Sequence, residues 1–351
     1  FWVVAACSAA WGWRPHLSWP KLHRALWFLL IIAVPDSLPE DAVERSAALR
    51  RMVLALVAGC MVAFGLHAVR LGTSLLHVPP AMGRLFWIYH QGSMRTPQFH
   101  MVALLFLLAG RDAGAGFYGL RRRAVTAAWI ANAVAIVLHF KRGVWLATAG
   151  GLAALWAAGC RVRRGVALAA LVAVAALACC PPVRARVWAA PRQFLEAGGR
   201  WQLWTIAAPQ ILRINAQRYP FGLGYGAMKN HELRHAVPAI ESKLNHVHNN
   251  ALQVLLETGW AGLLAWSGWM LSWLAAMARN VRRQCERSAA ATGMARGVFA
   301  AACGLLLNGV VEYNFGTGTV LILFAVLMGL TIAVASRSET ESADGAERST
   351  R

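Results

Sequence analysis

The sequence predicts an all-α polytopic membrane protein, and three observations carry that prediction. Hydrophobic residues fill 58% of its 351 positions. Charged residues make up only 14%, where a soluble domain carries about 25%. Several apolar runs approach or exceed the roughly 18 residues that mark a membrane-helix candidate. The expected architecture is a helical bundle of about ten or more transmembrane helices with one large polar loop.

Apolar segments fall near 1–13, 22–35, 52–69, 98–110, 124–140, 143–160, 165–182, 249–277, 294–311 and 315–335. The first opens Phe-Trp-Val-Val, without methionine or a basic leader, so it reads as the end of a membrane helix and not as a signal peptide. The same feature predicts that N-terminal sequence, one or two helices, is missing. Several segments are short for a full span, which predicts tilts or shifted boundaries. The chain then divides into N-terminal transmembrane helices over 1–182, a polar loop with short interfacial helices over 183–247, C-terminal transmembrane helices over 248–335 and a tail over 336–351. The tail is rich in Ser, Glu and Ala and is expected to be disordered.

The formal charge of +20 would suit a nucleic-acid binder, but its distribution excludes one. Arg121–Arg123, Arg161–Arg164 and Arg279–Arg283 sit in short clusters between apolar runs, as cytoplasmic loops do under the positive-inside rule. Their alternation places 183–247 on the periplasmic side of a bacterial inner membrane. Only the Arg14–Arg24 cluster breaks the pattern. The 183–247 loop holds nine lysines and arginines against three acids. Long loops translocate largely regardless of charge, so a basic outer loop is allowed. Seven scattered cysteines form no Cys-x-x-Cys pair, and Gly222-Leu223-Gly224-Tyr225-Gly226 reads as a tight turn, since no strand-to-helix unit surrounds it.

The most informative stretch runs from His246 to Gly262. It opens with two histidines and two asparagines and becomes an apolar helix that still carries Gln253 and Glu257. Asn249, Gln253 and Glu257 recur at i, i+4 and i+8, one polar stripe that must find partners or water inside a membrane. Gly259 and Gly262 lie three apart and are expected to allow close helix packing. His248 stands where the polar loop meets the helix, and an imidazole exchanges protons near neutral pH.

His248-Asn249, nine residues, Gly259, two residues and Gly262 together resemble the signature of the O-antigen ligase family, within the wider group of O-antigen ligases and polymerases. The resemblance implies a GT-C-type helical glycosyltransferase. It would move a glycan from an undecaprenyl-pyrophosphate-linked donor to the lipid A-core oligosaccharide or another glycan acceptor, at the periplasmic face and among membrane lipids. Such transfer needs a base for the acceptor hydroxyl and fixed cations for the leaving pyrophosphate. His248 is the expected base, with Asn249 and Gln253 expected to orient it or a sugar; His246, two residues away, is expected to point elsewhere and to support the substrate site from behind. Arg142 lies where the family often has Ser-Arg-Gly, here with Lys141 in place of the serine. Arg200 resembles the family's Gly-Arg ahead of an aromatic-rich helix. Both are expected on the pyrophosphate, whose geometry suits a planar guanidinium. Glu312, followed by Phe315, loosely matches an acid and a Phe of the family and is expected at the substrate site. No run of Asp, Glu or His offers a metal-ligand set, so neither metal nor cofactor is expected.

Three other readings share parts of this pattern. An O-antigen polymerase uses the same donor, a protein O-oligosaccharyltransferase a different acceptor, and a polysaccharide transporter would place its charges near mid-membrane instead of at one face.

Overall fold

The computed structural model describes residues 1–78, 84–113, 121–160, 179–218, 221–240, 244–284 and 289–349. Those residues form helices and turns, with no strand among them. Five described helices are long and apolar enough to cross a membrane: Pro15–Asp36, Val43–Leu76, Asn250–Gln284, Ala291–Val311 and Gly318–Ala335. The all-α membrane class therefore holds. Trp2–Trp11 and Arg123–Leu138 are apolar but shorter. The expected segment at 165–182 falls mostly outside the described residues.

The chain forms two compact units. One comprises Phe1–Leu30, Val187–Trp273 and Leu307–Ala325; the other comprises Ile31–Arg186, Leu274–Leu306 and Val326–Arg351. The expected tail begins inside a helix whose backbone runs from Gly318 to Ser349.

In the second unit, the expected segment 52–69 is the middle of a helix spanning Ala42–Leu76. Asp41 starts it by accepting the Val43 and Glu44 amides on its side chain. Its 35 residues give a rod of about 50 Å, longer than the hydrocarbon layer. Helix Thr96–Ala113 is apolar around its circumference, and Met101 to Ala109 are all buried. It packs against Ala42–Leu76, Arg122–Leu138 and Arg142–Ala157. Gly151 makes one of these approaches possible, since a Cβ there would stand 2.6 Å from Leu105 Cδ1.

In the first unit, Leu203, Ile211, Leu223, Leu233 and Val247 of the polar loop build a core with Leu256 of the helix that follows. An Arg14–Glu232 ion pair lies beside it. A second nucleus is aromatic: Phe315 contacts Phe28, Trp266, Trp269 and Phe324, mostly edge to face.

Helix Asn250–Gln284 is two helical segments joined at Gly259, whose φ of 69° and ψ of −172° are not helical. This corrects the expectation that Gly259 serves packing: it breaks the helix. Such a break frees carbonyls that hydrocarbon cannot satisfy. The Leu223 amide bonds the Leu256 carbonyl at 3.0 Å, and the Gly224 amide bonds that of Glu257 at 2.9 Å. Ser8 Oγ donates to the Glu257 carbonyl as well, at 2.6 Å. The tight turn read at Gly222–Gly226 thus docks on the broken helix. Gly222 is required there, because its φ is 78° and a Cβ would lie 2.6 Å from the Glu257 backbone.

Candidate functional site

The first unit brings Arg200, His246, His248 and Glu312 together. Local bonding explains where the histidines stand. Asn249 Oδ1 accepts the Leu252 amide at 2.9 Å and so caps the first turn of the Asn250 helix. His248 is left just outside the helix with φ of 53°, a left-handed conformation that costs a non-glycine residue about 1–3 kcal/mol. Neighbouring bonds hold it there. The Val247 amide donates to Gln253 Oε1 at 2.9 Å, and the Val247 carbonyl accepts Trp204 Nε1 at 2.7 Å. Trp204 belongs to the Leu203–Ala207 stretch, a π-helical turn that follows the short Arg200–Gln202 helix.

Three consecutive residues then grip the segment that carries Glu312. His248 Nδ1 meets Glu312 Oε1 at 2.6 Å. Asn249 Nδ2 donates to the Val310 carbonyl at 2.9 Å. Asn250 Oδ1 accepts the Asn314 and Phe315 amides, each at 3.1 Å, while its Nδ2 donates to Asn314 Oδ1 at 2.6 Å. Behind them, Gln253 Nε2 donates to Glu257 Oε1 at 2.8 Å and Tyr313 Oη reaches Glu257 Oε2 at 3.4 Å. The polar stripe expected in the helix is therefore saturated by internal partners. Gln253 acts on the backbone before His248 and not on the imidazole itself.

Glu312 is the hub. Arg200 Nη2 lies 3.1 Å from its Oε2, and His246 Nε2 lies 3.6 Å from its Oε1. A spacing of two residues would turn His246 away from His248, yet their rings meet edge to face with centroids 4.5 Å apart. The reason is that both residues precede the helix that begins at Asn250, so the helical geometry that would set residues two apart on opposite sides does not apply.

Charge states follow from this geometry. Burial alone would raise the Glu312 carboxyl, but hydrogen bonds from His246 and His248, with the charge of Arg200, hold it well below the usual carboxylate range. Burial lowers the His248 pKa, and its bond to Glu312 only partly offsets that. Burial also lowers Arg200, opposed by Glu312, from a value so high that the guanidinium stays charged. The consistent state is an ionised Glu312 accepting Nδ1–H from a neutral His248. Nε2 then carries the lone pair, and the His248 side chain keeps 19% of its surface exposed.

His246, His248 and Glu312 could also hold a cation, since their ligand atoms lie within 4.8 Å of one another. This corrects the expectation that no such set exists: residues distant in sequence assemble one. Its fit is poor, because both Glu312 oxygens already face N–H donors, from Arg200 and His248.

Arg142 belongs to the second unit and begins the Arg142–Ala157 helix after Phe140, the other non-glycine residue with positive φ among the described residues, 53°. Its Nη1 donates to the Arg186 carbonyl at 3.3 Å, and Arg186 Nε donates to the Phe140 carbonyl at 3.3 Å. The Arg186 guanidinium lies over the Tyr89 ring, 4.8 Å from its centre, and Lys141 Nζ bonds the Tyr89 carbonyl. The unit thus gathers three cations, those of Arg142, Lys141 and Arg186.

Sequence reasoning missed Asn250 as a structural clamp and Arg186 as a neighbour of Arg142. Asn250 stands beside two motif residues, but its partners lie 64 and 65 positions away. Residues 127–267 match the family model described as O-antigen ligase. That range holds Arg142, Arg200, both histidines and Asn250, and leaves Glu312 outside. No curated protein matches the chain.

Proposed function

We propose that this chain is an O-antigen ligase, transferring a glycan from undecaprenyl pyrophosphate to the lipid A-core oligosaccharide at the periplasmic face of the inner membrane. The family match supports a glycosyl-transfer enzyme of O-antigen processing that works on lipid-linked glycans and glycan acceptors. The single observation that carries the mechanism is the 2.6 Å contact between His248 Nδ1 and Glu312 Oε1.

In this reading His248 Nε2 takes the proton of the acceptor hydroxyl as its oxygen bonds the anomeric carbon. The bond from that carbon to the pyrophosphate oxygen breaks, and undecaprenyl pyrophosphate leaves with the electron pair. Glu312 stays ionised, fixes the imidazole tautomer and stabilises the imidazolium that forms. Arg200 orients Glu312 and turns charge toward the leaving pyrophosphate, and the family resemblance gives Arg142 a pyrophosphate-binding role as well. Asn249 and Gln253 position the histidine turn, and His246 supports the carboxylate. No metal is required, because arginine supplies the neutralising charge.

The test is purified protein in lipid with an undecaprenyl-pyrophosphate-linked glycan and three acceptors offered separately: lipid A-core, a second lipid-linked glycan and a folded protein. Glycosylated lipid A-core supports the ligase. Extension of the second lipid-linked glycan would make the chain a polymerase, and a glycosylated protein would make it an oligosaccharyltransferase. Absence of transfer to all three would sink the enzyme reading.

A further inference from the structure

The second unit buries three histidines that the transfer chemistry does not use. His67, His100 and His139 are all nearly inaccessible. The rings of His67 and His139 stack with centroids 3.9 Å apart, and those of His100 and His139 stand 6.0 Å apart.

Their protonation can be read from fixed neighbours. The Ser93 amide donates to His139 Nδ1 at 3.1 Å, so that nitrogen is an acceptor and the proton of the neutral ring sits on Nε2. Asn132 Nδ2 donates to the Ala128 carbonyl at 2.8 Å, which fixes the carboxamide and leaves Oδ1 toward His100. His100 Nδ1, 2.8 Å from that oxygen, is therefore a donor, and His100 Nε2 carries a bare lone pair. Both remaining atoms, the His139 Nε2–H donor and the His100 Nε2 acceptor, are buried without a partner among the described residues. No direct hydrogen bond joins them across the gap between the two rings.

We infer that a buried water occupies a site between His100 and His139, accepting from His139 Nε2–H and donating to His100 Nε2. A leftover donor and a leftover acceptor on rings 6.0 Å apart call for a guest that both accepts and donates. A cation is excluded by the proton on His139 Nε2, an anion by the lone pair on His100 Nε2, and an apolar guest satisfies neither. With the water in place, one chain of bonds runs in a single sense from the Ser93 amide through His139, water, His100 and Asn132 to the Ala128 carbonyl. Bonds aligned this way polarise one another. The chain ties the turn at Ser93, helix Thr96–Ala113 and helix Arg122–Leu138 to the residue three positions before Arg142. The water is thus a positioning element for the cationic Lys141–Arg142 turn, and its presence does not depend on which glycan the enzyme transfers.

The experiment uses the full chain in lipid nanodiscs with ¹⁵N-labelled histidine, reading ring tautomers and magnetisation transfer from water to ring N–H. The expected result is His100 protonated on Nδ1, His139 protonated on Nε2, and a water contact at the His139 Nε2–H. His100→Leu removes the acceptor and should abolish that contact; His100→Gln, which keeps an acceptor oxygen, should retain it. His139 protonated on Nδ1, or Nε2–H without a water contact in the unmodified protein, overturns the inference. So would a shift of both rings on adding Zn²⁺, which would mark a cation site instead. Because the spectra of the unmodified protein are decisive by themselves, a variant that fails to fold does not blunt the test.

Discussion

Asn250 and Asn314 are bonded in both directions: the Asn250 carboxamide donates to Asn314 Oδ1 at 2.6 Å and accepts the Asn314 amide at 3.1 Å. This pair sets the position of Glu312, two residues upstream, relative to His248, two residues upstream of Asn250. Asn250→Ala would remove these two bonds and the one to the Phe315 amide, at a net cost of about 0.5–1.5 kcal/mol each. Thermal unfolding in detergent should shift downward, and turnover should drop about tenfold or more through misplacement of the dyad. Unchanged turnover in a folded variant would show that the clamp is not what aligns Glu312.

His248→Ala should lower turnover by a factor of about 10² to 10⁴, the usual loss on removing a general base. Donor affinity should hold, since a neutral imidazole adds little to pyrophosphate binding. Collapse of donor binding with near-normal transfer would make His248 a binding residue.

The pH profile distinguishes Glu312 from a bystander. Burial sets the His248 pKa below its ordinary value, so the base stays neutral, and the rate stays high, into mildly acid solution. Glu312 opposes that lowering. Glu312→Gln should therefore move the acid limb of the rate profile to still lower pH while reducing the plateau, because the imidazolium loses its counter-charge. A limb that moves upward, or does not move, contradicts the dyad.

Arginine variants should separate by donor affinity. Arg200→Ala and Arg142→Ala each remove a charge-assisted contact, so donor binding should weaken along with turnover. Lysine at either site should rescue only in part, since it keeps the charge and loses the planar fork. Full rescue by lysine would show that charge alone is needed.

Transfer should persist in excess EDTA. The one group of residues able to hold a cation, among those described, shares its carboxylate with Arg200 and His248. A divalent ion would have to displace both. Loss of activity in EDTA with recovery in Mg²⁺ or Mn²⁺ would reverse this assignment.

How far the sequence alone reaches depends on distance along the chain. The Asn249–Gln253–Glu257 stripe is readable because a helix repeats locally, and Gln253 does bond Glu257 one turn on. His248 and Arg200 are readable because short motifs surround them. Glu312 is only loosely placed, since its meaning comes from His248, 64 residues away, and no local pattern encodes that approach. Gly259 escapes sequence reasoning for a different reason: a glycine that lets helices touch and a glycine that breaks a helix look alike until the partner of the freed carbonyls is known. Here that partner is the Gly222–Gly226 turn, from another part of the chain.

That turn has a mechanical consequence. Two carbonyls released by the broken helix take the amides of Leu223 and Gly224, and that of Glu257 also takes Ser8 Oγ. Peeling the turn away would break both of these bonds, at a net cost of about 0.5–1.5 kcal/mol each. The loop is therefore riveted to the membrane segment at this point, a few residues from the histidine turn. Any movement of the loop that keeps these two bonds must leave the Gly222–Gly226 end in place.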